Sequence, residues 1–392
     1  MRLLLAINDL HPREGGPPRV VIGSGTALAQ AGHDVTILSI VAPGDEQAVN
    51  DHIRPARDAG VKFVFIDPVR PASIWFPPRR GRLAEAIEAA DLLHCHGIWN
   101  PLFLTAAKIA EARAKPYFVS VHGLLSPWAM RKSRLKKRVA WALFDIGRYL
   151  ENARGVIFGT RGEFEVSTPL GAQIRPLFVP NGVSSATGSQ PITPQDLARL
   201  AAAAPPVAGW NRTVLFFSRI HPKKGLDMLI EAFASVAPRF PATGLLIAGL
   251  PEDPDYQRAI ERQIAGVTGA EICMTTDLVG EEARFLYALS DVFVLPSHEE
   301  GFSMALLEAL ACGCPSLSTT LCHLPEIAEQ GAGVVTDPNP ESIARGLADL
   351  LRLDGEALAA MRSRARALFE TRFTLESVAR QLSACYSGEP AS

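Results

Sequence analysis

Charge of either sign is not in surplus: 39 Lys and Arg face 41 Asp and Glu, a formal net charge of −2 over 392 residues. Nothing global recruits the chain to nucleic acid, and any anion site must be built locally. Cysteine is scarce, with six in the chain, which excludes a disulfide-stapled scaffold and suits a reducing compartment. Cys312-Gly313-Cys314 lacks metal-ligand spacing and a second pair, so it reads as helix-end packing. No stretch approaches the ~18 uninterrupted apolar residues of a membrane span. The opening MRLLLAINDL is broken by Asn8 and Asp9, too early for a signal peptide. Gly23-Ser24-Gly25 lies inside a helical pattern and not at a strand end, so it is no dinucleotide fingerprint. A cytoplasmic protein is expected.

The chain is organised around Asp291–Pro315, DVFVLPSHEEGFSMALLEALACGCP. An apolar run stops at Pro296-Ser297, acidic residues and a glycine follow, and helical spacing then continues to Gly313. Strand, loop, helix is the reading. Gly301 to Met304 place backbone N–H groups at the helix start, where the dipole is positive, so an anion site is expected there, phosphate first.

The length prior gives roughly two to three domains, and two fit best. In the first half, apolar runs at 2–7, 35–40, 61–66, 92–95, 117–121 and 156–159 alternate with helical patterns. That alternation predicts a doubly wound α/β parallel sheet, with ligands beyond the carboxyl ends of its strands. Gly15-Gly16 sits between the first strand and helix, either a plain turn or a place where backbone approaches a ligand. His96-Gly97 and His122-Gly123 end later strands; His96 reads as structural and His122 leans toward function. His94 and His96 could share a strand face, but no third ligand stands near for a metal. Ser126-Pro127 starts a helix read through residue 150, with Leu135, Val139, Ala142 and Ile146 on one stripe. Arg134, Lys137, Trp141, Phe144 and Arg148 lie opposite. That face either rests on an anionic membrane or is a solvated basic face with two aromatics on a neighbouring loop.

A Ser/Thr/Pro/Ala-rich stretch after Asn181-Gly182 is the linker candidate. A second β–α series begins near Thr213, and SRIHPKKG puts Arg219 and Lys224 on one strand-to-helix loop. Two cations there can neutralise a diphosphate, although such loops are commonly just solvated. The expected boundaries are residues 1–183, a linker 184–208, a second domain 209–370, and a helix in 371–392 crossing back.

SRIHPKKG and PSHEEGFSMALLEALACGCP together resemble the family 4 retaining glycosyltransferases of the GT-B fold. The likeness spans nearly the whole chain and is strongest over 213–336. Glu300 and Glu308 match the family's E-x7-E, Arg219 and Lys224 its phosphate loop, and Gly15-Gly16 its glycine loop. His122-Gly123 and Asn181-Gly182 match two further motifs. The resemblance implies two Rossmann-like domains facing across a cleft, a nucleotide-sugar donor on the second and a saccharide or lipid-linked acceptor on the first. It implies that Glu300 binds donor-sugar hydroxyls, Glu308 the ribose, and His122 the sugar. Arg219, Lys224 and the N–H groups of Gly301, Phe302 and Ser303 would stabilise diphosphate charge without a metal. No cofactor is expected, the nucleotide-sugar being a substrate. Retention by a front-face mechanism is carried over with the family, as is work on cell-surface polysaccharide or glycolipid at the inner face of the cytoplasmic membrane. Thr276 stands where the family usually has glycine, beside the nucleotide base, and Ser303 replaces a commoner glycine. An acceptor-free nucleotide-sugar epimerase or hydrolase and a silent nucleotide-sugar binding protein are the competing expectations.

Overall fold

A computed structural model describes residues 1–66, 80–131, 134–167, 171–280 and 283–389. The chain divides into two compact units, residues 1–182 with 375–392, and residues 183–374.

The first unit holds β1 Arg2–Asp9, β2 Asp34–Ile40, β3 Lys62–Ile66, β4 Leu92–His96, β5 Tyr117–Ser120, β6 Gly155–Phe158 and β7 Pro176–Phe178. All pair parallel, in the order β3-β2-β1-β4-β5-β6-β7. Successive β1 side chains point to opposite faces. Leu3, Leu5 and Ile7 meet the helices Gly16–Gln30, Glu46–Asp58 and Leu375–Ser387. Leu4 and Ala6 join the core under Arg80–Ala89, Pro101–Ala112 and Ile146–Glu151. Burial on both faces is why the strands read as continuous apolar runs. The last helix belongs to this unit, with Val378, Leu382 and Tyr386 in its core.

The second unit holds β8 Arg212–Phe217, β9 Thr243–Ala248, β10 Glu271–Thr275, β11 Val292–Leu295, β12 Ser316–Thr319 and β13 Gly333–Thr336. Its parallel order is β10-β9-β8-β11-β12-β13. The stretch 184–208, expected as a linker, is a folded part of this unit. Thr193 closes a capping box on the helix Pro194–Ala203, and Ala204 is fully buried. Composition alone reads such a segment as loop because its one α-helix is short and is flanked by Ser, Thr and Pro.

The helix expected through 126–150 is three pieces, Pro127–Arg131, Arg134–Leu143 and Ile146–Glu151, with Lys132 and Ser133 outside the described residues. Asp145, at φ 54°, breaks the last junction. The expected faces are inverted on the middle helix. Leu135 is 77% exposed, Val139 43% and Leu143 64%, while the side chain of Ala142 lies outside the description. Trp141 instead packs near Trp99, ring centroids 6.1 Å apart, with Phe144 against the same core. Lys137 lies 5.2 Å over the Trp99 ring. Two large aromatic surfaces outweigh a narrow aliphatic stripe when only one face can be buried.

Candidate active site

In each sheet the strand order reverses once, between β1 and β4 and between β8 and β11. Loops leaving the carboxyl ends of neighbouring strands splay apart at such a reversal and open a crevice. Gly15 follows β1, and the loops after β8 and β11 carry Arg219, Lys224 and Glu300.

In the second unit, the loop after β8 carries Arg219 and then a 3-10 turn Pro222–Lys224, capped by His221 Nδ1, which accepts from the Lys223 N–H. Gly225 at φ 65° passes the chain into the helix Leu226–Val236. A Cβ there would stand 2.2 Å from the Pro296 carbonyl oxygen, so the β8 and β11 loops meet only through glycine. Lys224, 9% exposed, is turned inward, and its Nζ donates to Glu300 Oε1 at 2.6 Å. Ser297 Oγ donates to the same oxygen at 2.7 Å. The Glu300 N–H donates to the Leu321 carbonyl, and Thr319 Oγ1 donates to that of Ser297, which pins the loop to β12. Burial alone would raise the Glu300 carboxyl, but Lys224, Lys223 and the Lys224 and Ser297 hydrogen bonds together hold it below its ordinary value. It is therefore an anion at neutral pH.

Arg219 and Lys224 share a loop but not a position: Arg219 is 55% exposed and donates to Glu252. Ser303 caps the helix Met304–Ala311 by accepting from the Leu306 N–H, with Gly301 and Phe302 just before it. Phe302 packs edge-on near Phe373 at 6.0 Å. Glu308 sits one turn into that helix in a separate cluster, 3.2 Å from Arg284 and accepting from the Tyr287 hydroxyl at 3.3 Å. Ser297, Arg284 and Tyr287 were not anticipated from the sequence. Ser297 had a signal, a hydroxyl at a strand end three residues before the glutamate; the other two stand over twenty residues upstream of Glu308 and only packing brings them in. Thr276, flagged near the base, lines a shallow depression of about 380 Å³ with Gln257, Glu261, Ile264 and Met274.

In the first unit, Gly15 adopts φ 77° at the start of the helix Gly16–Gln30, with open space where a Cβ would stand. His122 ends the β5 segment in a left-handed conformation, φ 47°. The turn behind it is fixed by buried Glu163, whose two oxygens accept from the N–H groups of Gly123 and Gly159, both at 2.7 Å. His122 Nε2 lies 3.0 Å from His96 Nδ1. Burial lowers His122 to about 4, so its ring is neutral at pH 7. Among the described residues no group of three or more His, Cys, Asp or Glu is arranged to hold a metal ion, and no helix is long and apolar enough to cross a membrane.

Residues 14–186 match the model of Glycosyltransferase Family 4, and residues 204–368 that of Glycosyl transferases group 1. The chain belongs to glycosyltransferase family 4 and is a glycosyltransferase. Its relatives include a GDP-mannose-dependent alpha-(1-6)-phosphatidylinositol monomannoside mannosyltransferase of Mycolicibacterium smegmatis, 27% identical over 365 residues and 89% of each chain. The GDP-mannose-dependent monoacylated alpha-(1-6)-phosphatidylinositol monomannoside mannosyltransferase of Corynebacterium glutamicum is 24% identical over 99% of this transferase and 98% of that protein. The fold is that of Anabaena HepE, solved with UDP and glucose, at a TM-score of 0.73, 20% identity and coverage of 99% and 100%. A sucrose-phosphate synthase of Thermosynechococcus elongatus superposes with a TM-score of 0.69 at 18% identity over 99% of each chain. The GT-B architecture expected from the motifs is thus the one the transferase adopts.

Proposed function

We propose that the transferase moves a sugar, with retention and without a metal, from a nucleoside-diphosphate donor to a lipid-linked saccharide or glycolipid at an anionic membrane surface. The observation that carries the proposal is the buried Lys224–Glu300 pair at the β8/β11 reversal. In the free protein the two charges compensate one another. When donor arrives, Glu300 accepts from sugar hydroxyls, and the Lys224 ammonium, with two more protons to give, meets charge building on the leaving diphosphate. Arg219, whose pair with Glu252 is exposed, swings from it to the same phosphates. The N-terminus of Met304–Ala311, with Gly301, Phe302 and Ser303 before it, adds fixed positive potential. Glu308, oriented by Arg284 and Tyr287, takes the ribose. Gly15-Gly16 lets backbone approach the ligand, and His122 contacts the sugar.

GDP-mannose, the donor named for the M. smegmatis relative, is the first to try. Labelled UDP-, GDP- and ADP-sugars incubated with a membrane lipid extract, with and without EDTA, test the reading. One donor should pass its label to lipid, undiminished by EDTA, with the anomeric configuration kept in the product's proton NMR coupling. Free sugar as sole product would favour the epimerase or hydrolase, no turnover of any donor the silent binder, and an inverted product would end the retaining assignment. Turnover unchanged in Glu300→Ala would remove the site assignment.

Membrane contact is supported by the outward stripe of Leu135, Val139 and Leu143, flanked by exposed Arg134, Lys136 and Arg138. Apolar side chains between basic ones suit insertion among anionic headgroups. Wild type should float with phosphatidylglycerol vesicles and a Leu135→Ser/Val139→Ser/Leu143→Ser variant should not; equal flotation would remove this contact.

A further inference from the structure

The carboxyl half of β4 carries imidazoles for which the transfer chemistry has given no role. Leu93 and Cys95 point to one face of the sheet, so His94 and His96 lie on the other, the side of the last helix. His94 is saturated: Nδ1 lies 2.7 Å from the Tyr386 hydroxyl and Nε2 2.9 Å from Ser120 Oγ. Its ring rests on that of His96, centroids 4.1 Å apart. His96, 6% exposed, reaches His122 through Nδ1 at 3.0 Å, the rings 17° from parallel. Its other nitrogen, Nε2, is buried with no hydrogen-bond partner among the described residues.

That orphaned nitrogen decides where a proton sits. Burial pushes both rings down in pKa, so each is neutral at pH 7 with a single N–H. Suppose His122 donated from Nε2 to His96 Nδ1. His96 would then carry its own proton on Nε2, a buried N–H with nothing to accept it. In the reverse arrangement His96 Nδ1–H donates to His122 Nε2, and only a lone pair is left unpaired. Orphaned buried N–H groups are the rarer defect and under-satisfied acceptors the more tolerated one. His122 must then hold its proton on Nδ1, since the tautomer of a ring follows the bond its other nitrogen makes. The left-handed backbone at His122 and the Glu163 clamp behind it keep the ring in that place.

We propose that His96 is a positioning residue that locks His122 in the Nδ1–H tautomer, so that His122 offers a hydroxyl of the bound sugar a hydrogen-bond donor and not an acceptor. The sugar contact rests on the role given to His122 above; the lock itself does not. Long-range proton–nitrogen correlation spectra of the full-length, unliganded protein labelled with 15N-histidine read the tautomer at pH 7, with His122 assigned by His122→Gln. Wild type should show His122 protonated at Nδ1. His96→Asn, whose amide can donate from nearly the same place, should keep that state, and His96→Leu should turn it into a mixture. With the donor that turns over, kcat/KM should fall in His96→Leu in proportion to the Nδ1–H tautomer lost, about twofold for an equal mixture, and recover in His96→Asn. Protonation at Nε2 in wild type, or an unchanged tautomer in His96→Leu, would overturn the proposal, and the wild-type spectrum decides even where His96→Leu fails to fold. Tautomers as expected with full activity in His122→Gln would overturn the sugar contact and leave the lock standing.

Discussion

Removing the Lys224 ammonium while keeping its stem, as in Lys224→Met, tests the site through stability alone. Nζ stands 2.6 Å from Glu300 Oε1, with side chains 11% and 9% exposed. At an effective dielectric of about 20 such a separation gives direct attraction of about 6 kcal/mol, most of which offsets the desolvation of two buried charges. Breaking one side of a buried pair costs about 3–5 kcal/mol because the other charge is stranded. Ser297 still donates to Glu300 in the variant, so the lower end, about 3 kcal/mol, is expected. Lys224→Met/Glu300→Gln, with no charge left to strand, should recover about 2 kcal/mol of that loss. The pH dependence has a fixed sign. A carboxyl held below its ordinary 4.5 contributes stability above that pH and loses it as pH falls through the lower folded value. The deficit of Lys224→Met should therefore be full at pH 7 and shrink as pH falls through the acid range in which Glu300 takes up a proton, first in the variant and then in wild type. Two units need not unfold together, so the readout is native-state hydrogen exchange at β8 and β11 amides. A loss under about 1 kcal/mol, or a double variant as unstable as the two single losses added, would refute the reasoning.

Gly225→Ala should destabilise the second unit by roughly 3 kcal/mol, read by the same exchange, since it combines left-handed strain with a clash against Pro296. The histidine row should make the first unit acid-labile. His94 is lowered by burial and then by His122 to about 3, against an ordinary 6.5, so its contribution is complete above pH 6.5 and declines as pH falls toward 3. Between pH 7 and pH 5 this amounts to about 2 kcal/mol per such histidine. Denaturant midpoints of wild type should fall over that window, and those of His94→Gln should fall less; equal slopes would count against a neutral buried His94.

How much was legible depends on range in sequence. Alternating apolar runs and helical periods specified two parallel sheets, because burial on both faces of β1 or β8 forces a continuous apolar run whatever its partners are. Glu300, Lys224, Ser303 and His122 could be named as candidates because each lies in a short motif, within a few residues of a strand end, a turn or a cap. Where two faces of one helix competed, local pattern failed: on Arg134–Leu143 the aliphatic stripe turned outward because Trp99, some forty residues upstream, offered Trp141 a better surface. Likewise 184–208 became part of a folded unit through contacts that its composition does not encode. The sequence by itself thus determined the architecture, since that rests on repeating local patterns, and it named the residues on which the proposed site is built. Tertiary structure alone decided which charges meet, Lys224 with Glu300 and Arg284 with Glu308, and which nitrogen of His96 is left unpaired, because those depend on distances between segments far apart in the chain.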